Sequence, residues 1–200
     1  EIDTKNMNGE TAFMVACRHG HILIAKTLLQ HGTNVNNTDN FGRTSLLIAI
    51  NGNKKNIIDM ILELESVDVN ICDQFGSSPL FMACTKDFNE QLIKKLLTMG
   101  AYINVMDRCL NTPLIYVCKH GLQGYIPILL EYGADSEIVN IENKKAVDYL
   151  ETIDQQEKFI ATVEYHLPKT SNHQLLAGRR SMPSWIHRLN NNEYIYPSTS

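Results

Sequence analysis

The chain of 200 residues has no excess of either charge: 18 Lys and Arg stand against 22 Asp and Glu, a net charge of −4. With a pI near 6.0, it lacks the basic surface that nucleic acid or an acidic membrane would require. No apolar run approaches the roughly 18 residues of a membrane span, so no membrane insertion is expected. There is no signal peptide and no initiator Met; the chain opens at Glu1, which suggests a piece of something longer. The five cysteines include no C-x-x-C pair, which argues against structural zinc. H-E-x-x-H, a nucleophile-elbow serine and a phosphate loop are all missing. The expectation is therefore no enzyme, no metal and no cofactor. What remains, 44% hydrophobic and 20% charged, is ordinary for a globular chain large enough to bury a core.

The chain does have a period. DNFGRTSLLIAI at 39–50 returns as DQFGSSPLFMAC at 73–84. Gly9, Gly42 and Gly76 are spaced by 33 and 34 residues, and so are Ala16, Ala49 and Ala83. The pairs Leu28-Leu29, Ile61-Leu62, Leu96-Leu97 and Leu129-Leu130 keep the same phase. A fixed period of this length signals stacked supersecondary units.

Within each unit the local chemistry predicts two helices. Thr44, Ser78 and Thr112 can cap a helix start with a hydroxyl. Pro79 and Pro113 follow at the first helical position, where a missing N–H costs nothing. SLLIAI, PLFMAC and PLIYVC are the first helices. ILIAKTLL, NIIDMIL and QLIKKLL have the apolar spacing of the second. Gly32, Gly100 and Gly133 sit where a helix end wants a left-handed residue. The rest of each unit is turn-rich and reads as a projecting hairpin.

These residues resemble the ankyrin repeat, D-x-x-G-x-T-P-L-x-x-A…G…L-L-x-x-G-A-x-x-N. The pattern covers units 6–38, 39–72, 73–106 and 107–139. Residues 1–5 resemble the end of a preceding repeat, since Ile2-Asp3 stands where Val35-Asn36 stands one unit later. Segment 140–167 resembles a degenerate capping repeat with a polar second helix, and 168–200 is a tail or docking segment. The resemblance implies an all-α fold, a solenoid of stacked helix-turn-helix units with projecting β-hairpin loops. Some positions depart from the pattern. Unit two has one residue too many and no Gly after its second helix, and unit three carries an extra residue around Asp87-Phe88-Asn89. Pro127 falls early in a second helix. Leu110 replaces the hairpin Gly, so a reshaped tip with Asn111 taking the turn is expected. Cys17, Cys84 and Cys118 share one repeat position and read as core packing; reduced thiols suit a cytoplasmic or nuclear protein.

The family implies a protein-interaction module that grips a partner on its concave face, between hairpin tips and first helices. The positions before the repeat Ala are Val15, Ile48, Met82 and Tyr116, a ladder of apolar anchors. Basic Arg18, Arg43, Lys86, Arg108 and Lys119 flank it, and Phe41 and Phe75 stand on the tips. A partner with apolar anchors and some acidic residues is expected. The alternative for Phe41 and Phe75 is that they pack on each other, and for the ladder that it is half-buried. Asn36, Asn70 and Asn104 resemble sites of the oxygen-sensing asparaginyl hydroxylase, although an amide there can equally bond turn backbone. In the tail, Trp185, Tyr194 and Tyr196 are candidate anchors, so 181–197 could fill the groove of its own or another molecule. It could also cap the array or remain disordered. The competing function is a substrate-recruiting arm of a multidomain enzyme.

Overall fold

The computed structural model describes residues 1–86 and 90–166. The expectations placed on Asp87-Phe88-Asn89 and on the tail, with Trp185, Tyr194 and Tyr196, lie outside the described residues. Helices come in pairs: α1 (Ala12–His19) with α2 (Ile22–Gln30), α3 (Ser45–Asn51) with α4 (Lys55–Ile61), α5 (Pro79–Thr85) with α6 (Glu90–Thr98), and α7 (Pro113–Lys119) with α8 (Ile126–Glu131). A 3-10 turn at Ala146–Tyr149 and α9 (Ile153–His166) form a fifth, reduced unit.

Each first helix begins in the same way. The hydroxyls of Thr11, Thr44, Ser78 and Thr112 accept from the N–H of Met14, Leu47, Phe81 and Ile115, which satisfies one of the free donors at each start. The first helices stack as a spine, α1 on α3, α3 on α5, α5 on α7, and α7 on the 3-10 turn at Ala146–Tyr149. Phe13, Leu46, Leu80 and Leu114 occupy one repeat position in that spine, and all four are buried. Cys17, Cys84 and Cys118 are buried there as free thiols. Burial pushes each of them up to about 12, so thiolate is scarce at neutral pH and the groups serve as packing. Pro127 is accommodated by a 3-10 turn at Gln123–Tyr125, after which α8 starts at Ile126, so the absent N–H falls in a first turn.

The projecting loops are closed turns, and among the described residues no strand is formed. In each turn one leading carboxylate or amide oxygen collects two backbone N–H groups. Asn6 takes Asn8 and Glu10; Asp39 takes Phe41 and Arg43; Asp73 takes Phe75 and Ser77; Asp107 takes Cys109 and Asn111; Asn140 takes Glu142 and Lys144. Single backbone bonds then tie tip to tip, Asn40 N–H to the Asn8 carbonyl and Gln74 N–H to that of Phe41. With the edge groups satisfied locally, no ladder is required.

The fourth tip corrects one expectation. Leu110 does not hand the turn to Asn111; it adopts the left-handed conformation itself, at φ 58°, where Gly9, Gly42 and Gly76 sit at 75°, 75° and 80°. Its N–H bonds the Asp107 carbonyl at 2.9 Å, as each glycine does in its own tip. The turn bonds outweigh the local strain, which is of order 1–2 kcal/mol for a non-glycine residue. Leu110→Gly should therefore stabilise the protein by about 1 kcal/mol, measured as a higher urea midpoint at unchanged slope. An unchanged or lower midpoint would mean that the leucine side chain compensates for its backbone.

Candidate functional site

Three features of the fold position the predicted partner-binding residues: the tips, the ladder position on the first helices, and the bridges between units. The bridges set the spacing. Asn36 donates its amide N–H to the Ser66 carbonyl at 2.7 Å and accepts from the Asp68 N–H at 2.9 Å. Asn70 does the same with the Gly100 carbonyl and the Tyr102 N–H, at 3.0 and 2.8 Å. Asn104 accepts from the Asp135 N–H at 2.9 Å. These asparagines lock each unit to the next, and their side-chain oxygens face protein backbone.

At the tips, Phe41 and Phe75 are 46% and 50% exposed. Neither ring packs on the other. The Arg43 guanidinium lies 4.9 Å from the Phe41 centroid, and that of Arg108, from the following tip, 4.8 Å from the Phe75 centroid. Each phenylalanine is thus half of an aromatic–cation pair. Arg43 is also held by its own tip, with Nε and Nη2 at 2.8 and 2.7 Å from the buried Asp39 carboxylate. Arg108 donates through Nε to the Gln74 carbonyl at 3.0 Å and has no carboxylate partner among the described residues. Two further exposed apolar tip residues, Met7 and Ile141, stand at the ends of the row. They occupy the place of Asn40 and Gln74, and the sequence reading passed over them although the repeat register marks both.

The ladder is uneven. Ile48 is only 5% exposed, which leaves it little surface to offer a partner. Met82 and Tyr116 are longer and half-buried; Val15, without a helix pair packed ahead of it, is half-buried too. Tyr116 meets Phe81 of the preceding unit edge-on at 5.2 Å and lies 4.2 Å from the His120 ring. Burial, then the nearby Asp107 carboxylate, raises its hydroxyl above the ordinary tyrosine value.

The basic flank is largely neutralised from within. Arg18 pairs with the buried Glu10. Lys119 reaches Glu142 at 2.9 Å and lies 5.2 Å from the Tyr149 ring, which Lys144 also approaches at 5.1 Å. The hydrogen bond to Glu142 raises the lysine and lowers the glutamate relative to their ordinary values. Lys86 is exposed, with no carboxylate partner among the described residues. Arg108 and Lys86 are therefore the two predicted cations left for a partner. Asp39–Arg43 was readable from its i, i+4 spacing; Glu10 and Glu142 were not, because only folding brings them to Arg18 and Lys119. Behind this surface Asn140 is buried and donates to the Asn111 oxygen at 2.9 Å and the Tyr149 hydroxyl at 2.7 Å, which ties the fifth tip to the fourth and to the 3-10 turn at Ala146–Tyr149.

Among the described residues no group of His, Cys, Asp and Glu is arranged to hold a metal ion, and no helix is long and apolar enough to cross a membrane. Paired helices in a spine, tips in register and polar bridges at a fixed interval define a helical-repeat solenoid. The chain belongs to the ankyrin-repeat family: the family model described as ankyrin repeats (3 copies) matches residues 1–71 and 51–140. It is similar to an ankyrin repeat-containing protein of Caenorhabditis elegans, 36% identical over 72 residues, 34% of this chain and 6% of that protein. An ankyrin repeat protein of fowlpox virus is 36% identical over 52 residues, 26% of this chain and 12% of its own length. One of Acanthamoeba polyphaga mimivirus is 32% identical over 59 residues, 30% of this chain and 36% of its own length. The chain thus spans well under half the length of these curated relatives. Among solved structures, the ankyrin repeat domain of Bcl-3, a member of the IkappaB protein family, aligns with TM-score 0.68 and 23% identity over 78% of this chain and 69% of that one. At that identity the likeness establishes the fold alone. Ankyrin repeats are protein–protein interaction modules, and that is the class this chain belongs to.

Proposed function

We propose that this array binds a protein or peptide partner across its tips and first helices, on the concave side, as a recognition module of a larger scaffold or regulatory protein. The observation that carries this is the pair of exposed phenylalanines, Phe41 and Phe75, each held under a guanidinium at successive tips. An aromatic ring fixed in place but half open to water has little side-chain entropy left to lose on binding. Met82 and Tyr116 supply apolar surface beside them, and Arg108 and Lys86 supply the free positive charge. The fitting partner is an extended or helical segment with apolar anchors and a few acidic residues. Two anchors at about 1.5–3 kcal/mol each make the tips the main source of affinity. The free thiols suit a reducing compartment, the cytoplasm or nucleus. No turnover is assigned to the array, which leaves recruitment of substrate for a linked enzyme domain as a use of the same surface.

The experiment is affinity capture with the array, followed by titration calorimetry on the recovered partner, with Phe41→Ser/Phe75→Ser beside the parent. The double variant is expected to weaken binding by at least about tenfold, which is 1.4 kcal/mol. Unchanged affinity in a variant that melts like the parent would move the site off the tips.

A further inference from the structure

Phe41 and Phe75 hold equivalent places at successive tips, both exposed and each beside a guanidinium. Backbone sets the distance between them. Within each tip one bond joins the two limbs, Asp39 N–H to the Arg43 carbonyl at 3.0 Å and Asp73 N–H to the Ser77 carbonyl at 3.1 Å. Between the tips the Gln74 N–H bonds the Phe41 carbonyl at 2.8 Å. Backbones joined in this way lie about 4.8 Å apart, so one tip and one junction together advance the row by about 9.6 Å. The stacking of α3 on α5 runs at a matching interval, since packed helices lie about 8–10 Å apart. Aromatic pairs need ring centroids within about 7 Å, and these two rings make no such contact.

The regular conformations of a bound segment meet this interval differently. A strand places side chains on one face about 6.8 or 13.6 Å apart, and neither distance fits. An α-helix returns to the same face after seven residues, about 10.5 Å, which overshoots by nearly a whole ångström. A polyproline II helix returns after three residues, about 9.3 Å, which matches the row to about 0.3 Å. Its backbone stays solvated and needs no neighbouring strand, and among the described residues the array forms no strand for a partner to extend. Charge orders the anchors. Arg43 is paired with Asp39. Arg108 reaches back from the fourth tip to the Phe75 ring and the Gln74 carbonyl, and has no carboxylate partner among the described residues. The free positive charge therefore stands at the Phe75 end of the pair.

We infer that the tips of units two and three are a docking site for a proline-rich segment in the polyproline II conformation. Two apolar side chains three residues apart rest on Phe41 and Phe75, and an acidic residue one turn beyond the second meets Arg108. This rests on the reading of the tips as the partner surface, to which it adds the conformation and spacing of what binds. Such a segment is already extended when free, so little chain entropy is lost on docking, and exposed aromatic rings are the surface that receives it.

The test titrates three fluorescent synthetic peptides with the 200-residue chain and follows anisotropy. The first is proline-rich, with two leucines three residues apart and an aspartate three residues beyond the second. The next has the same composition with the leucines four apart. The last is helical, with the leucines seven apart and an aspartate beyond them. The first is expected to bind at least about tenfold more tightly than either of the others. Phe41→Ala and Phe75→Ala are each expected to weaken it at least about fivefold, in variants whose melting temperatures stay within about 2 °C of the parent. Arg108→Gln should erase the preference for aspartate over asparagine in that peptide. No binding of the first peptide, equal binding of the peptides with leucines three and four apart, tighter binding of the helical one, or an affinity unmoved by Phe75→Ala would each overturn the proposal. The broader reading of the tips is judged separately, by the effect of Phe41→Ser/Phe75→Ser on the captured partner.

Discussion

Leu80→Ala is expected to lower the unfolding free energy by about 3 kcal/mol, the largest single effect on this chain. Leu80 is the second residue of α5 and wholly buried, in a helix packed on α3, α6 and α7. Truncation removes three carbon atoms' worth of transfer free energy and leaves a cavity lined by neighbours from more than one unit, a change that costs about 2–5 kcal/mol in packed cores. Its position in the array adds a second consequence. Each unit is stable only through its neighbours, so weakening the middle one uncouples the two ends. The urea transition should move to lower concentration and broaden. Met82→Ala, two residues along and half-buried, is the comparison and should cost about 1 kcal/mol. A Leu80→Ala loss no larger than the Met82→Ala loss would mean that the spine is not where the stability lies.

Arg18→Met should destabilise the chain by about 2 kcal/mol, although Arg18 looks from sequence like a surface cation awaiting a partner. The Glu10 carboxylate it pairs with is buried, and the Arg18 side chain is 38% exposed. Removing one member of a buried pair typically costs 3–5 kcal/mol, because a charge is left in low dielectric without compensation. Partial access of water to the arginine side reduces that figure. Glu10→Met/Arg18→Met should recover most of the loss, since no orphaned charge remains, and chemical denaturation of the two single variants and the double variant gives the coupling directly. If the double variant is no better than Arg18→Met, the pair is not what holds Glu10 in place. The result also separates roles: Arg18 acts in the first unit's packing, and a loss of binding in its single variant is to be read against the double variant.

The parts of this protein that are legible in sequence are those in which a residue acts on its own backbone. A threonine or serine before an apolar run caps the helix that follows, and four such caps form. Gly32, Gly100 and Gly133 end their helices at φ 84°, 87° and 86°, as their place after the second helix implies. Asp3 repeats the place of Asn36 and repeats its bond, here to the Asn34 N–H. Leu110 marks where such reasoning fails. A propensity argument sends the left-handed turn to Asn111, but the two N–H groups gathered by Asp107, and the bond from the Ile141 N–H of the fifth tip to the Cys109 carbonyl, hold the leucine there instead.

The candidate site was legible in position but not in exposure or charge. The repeat register locates Val15, Ile48, Met82 and Tyr116, and the phenylalanines, without ambiguity. Whether a side chain at such a position reaches water depends on its length against the neighbours that close around it, so Ile48 is lost from the surface and Met82 stays half open. Whether a basic residue is free depends on carboxylates 8 to 23 residues away along the chain, so Arg18 and Lys119 are paired while Arg108 has no carboxylate partner among the described residues. The sequence alone determined the period, the caps, the turn positions and the family, because each of these is set by interactions within a few residues and repeated at a fixed interval. Only the tertiary structure decided which equivalent positions are open and which charges are spent, because packing and ion pairing join residues that the chain order keeps apart.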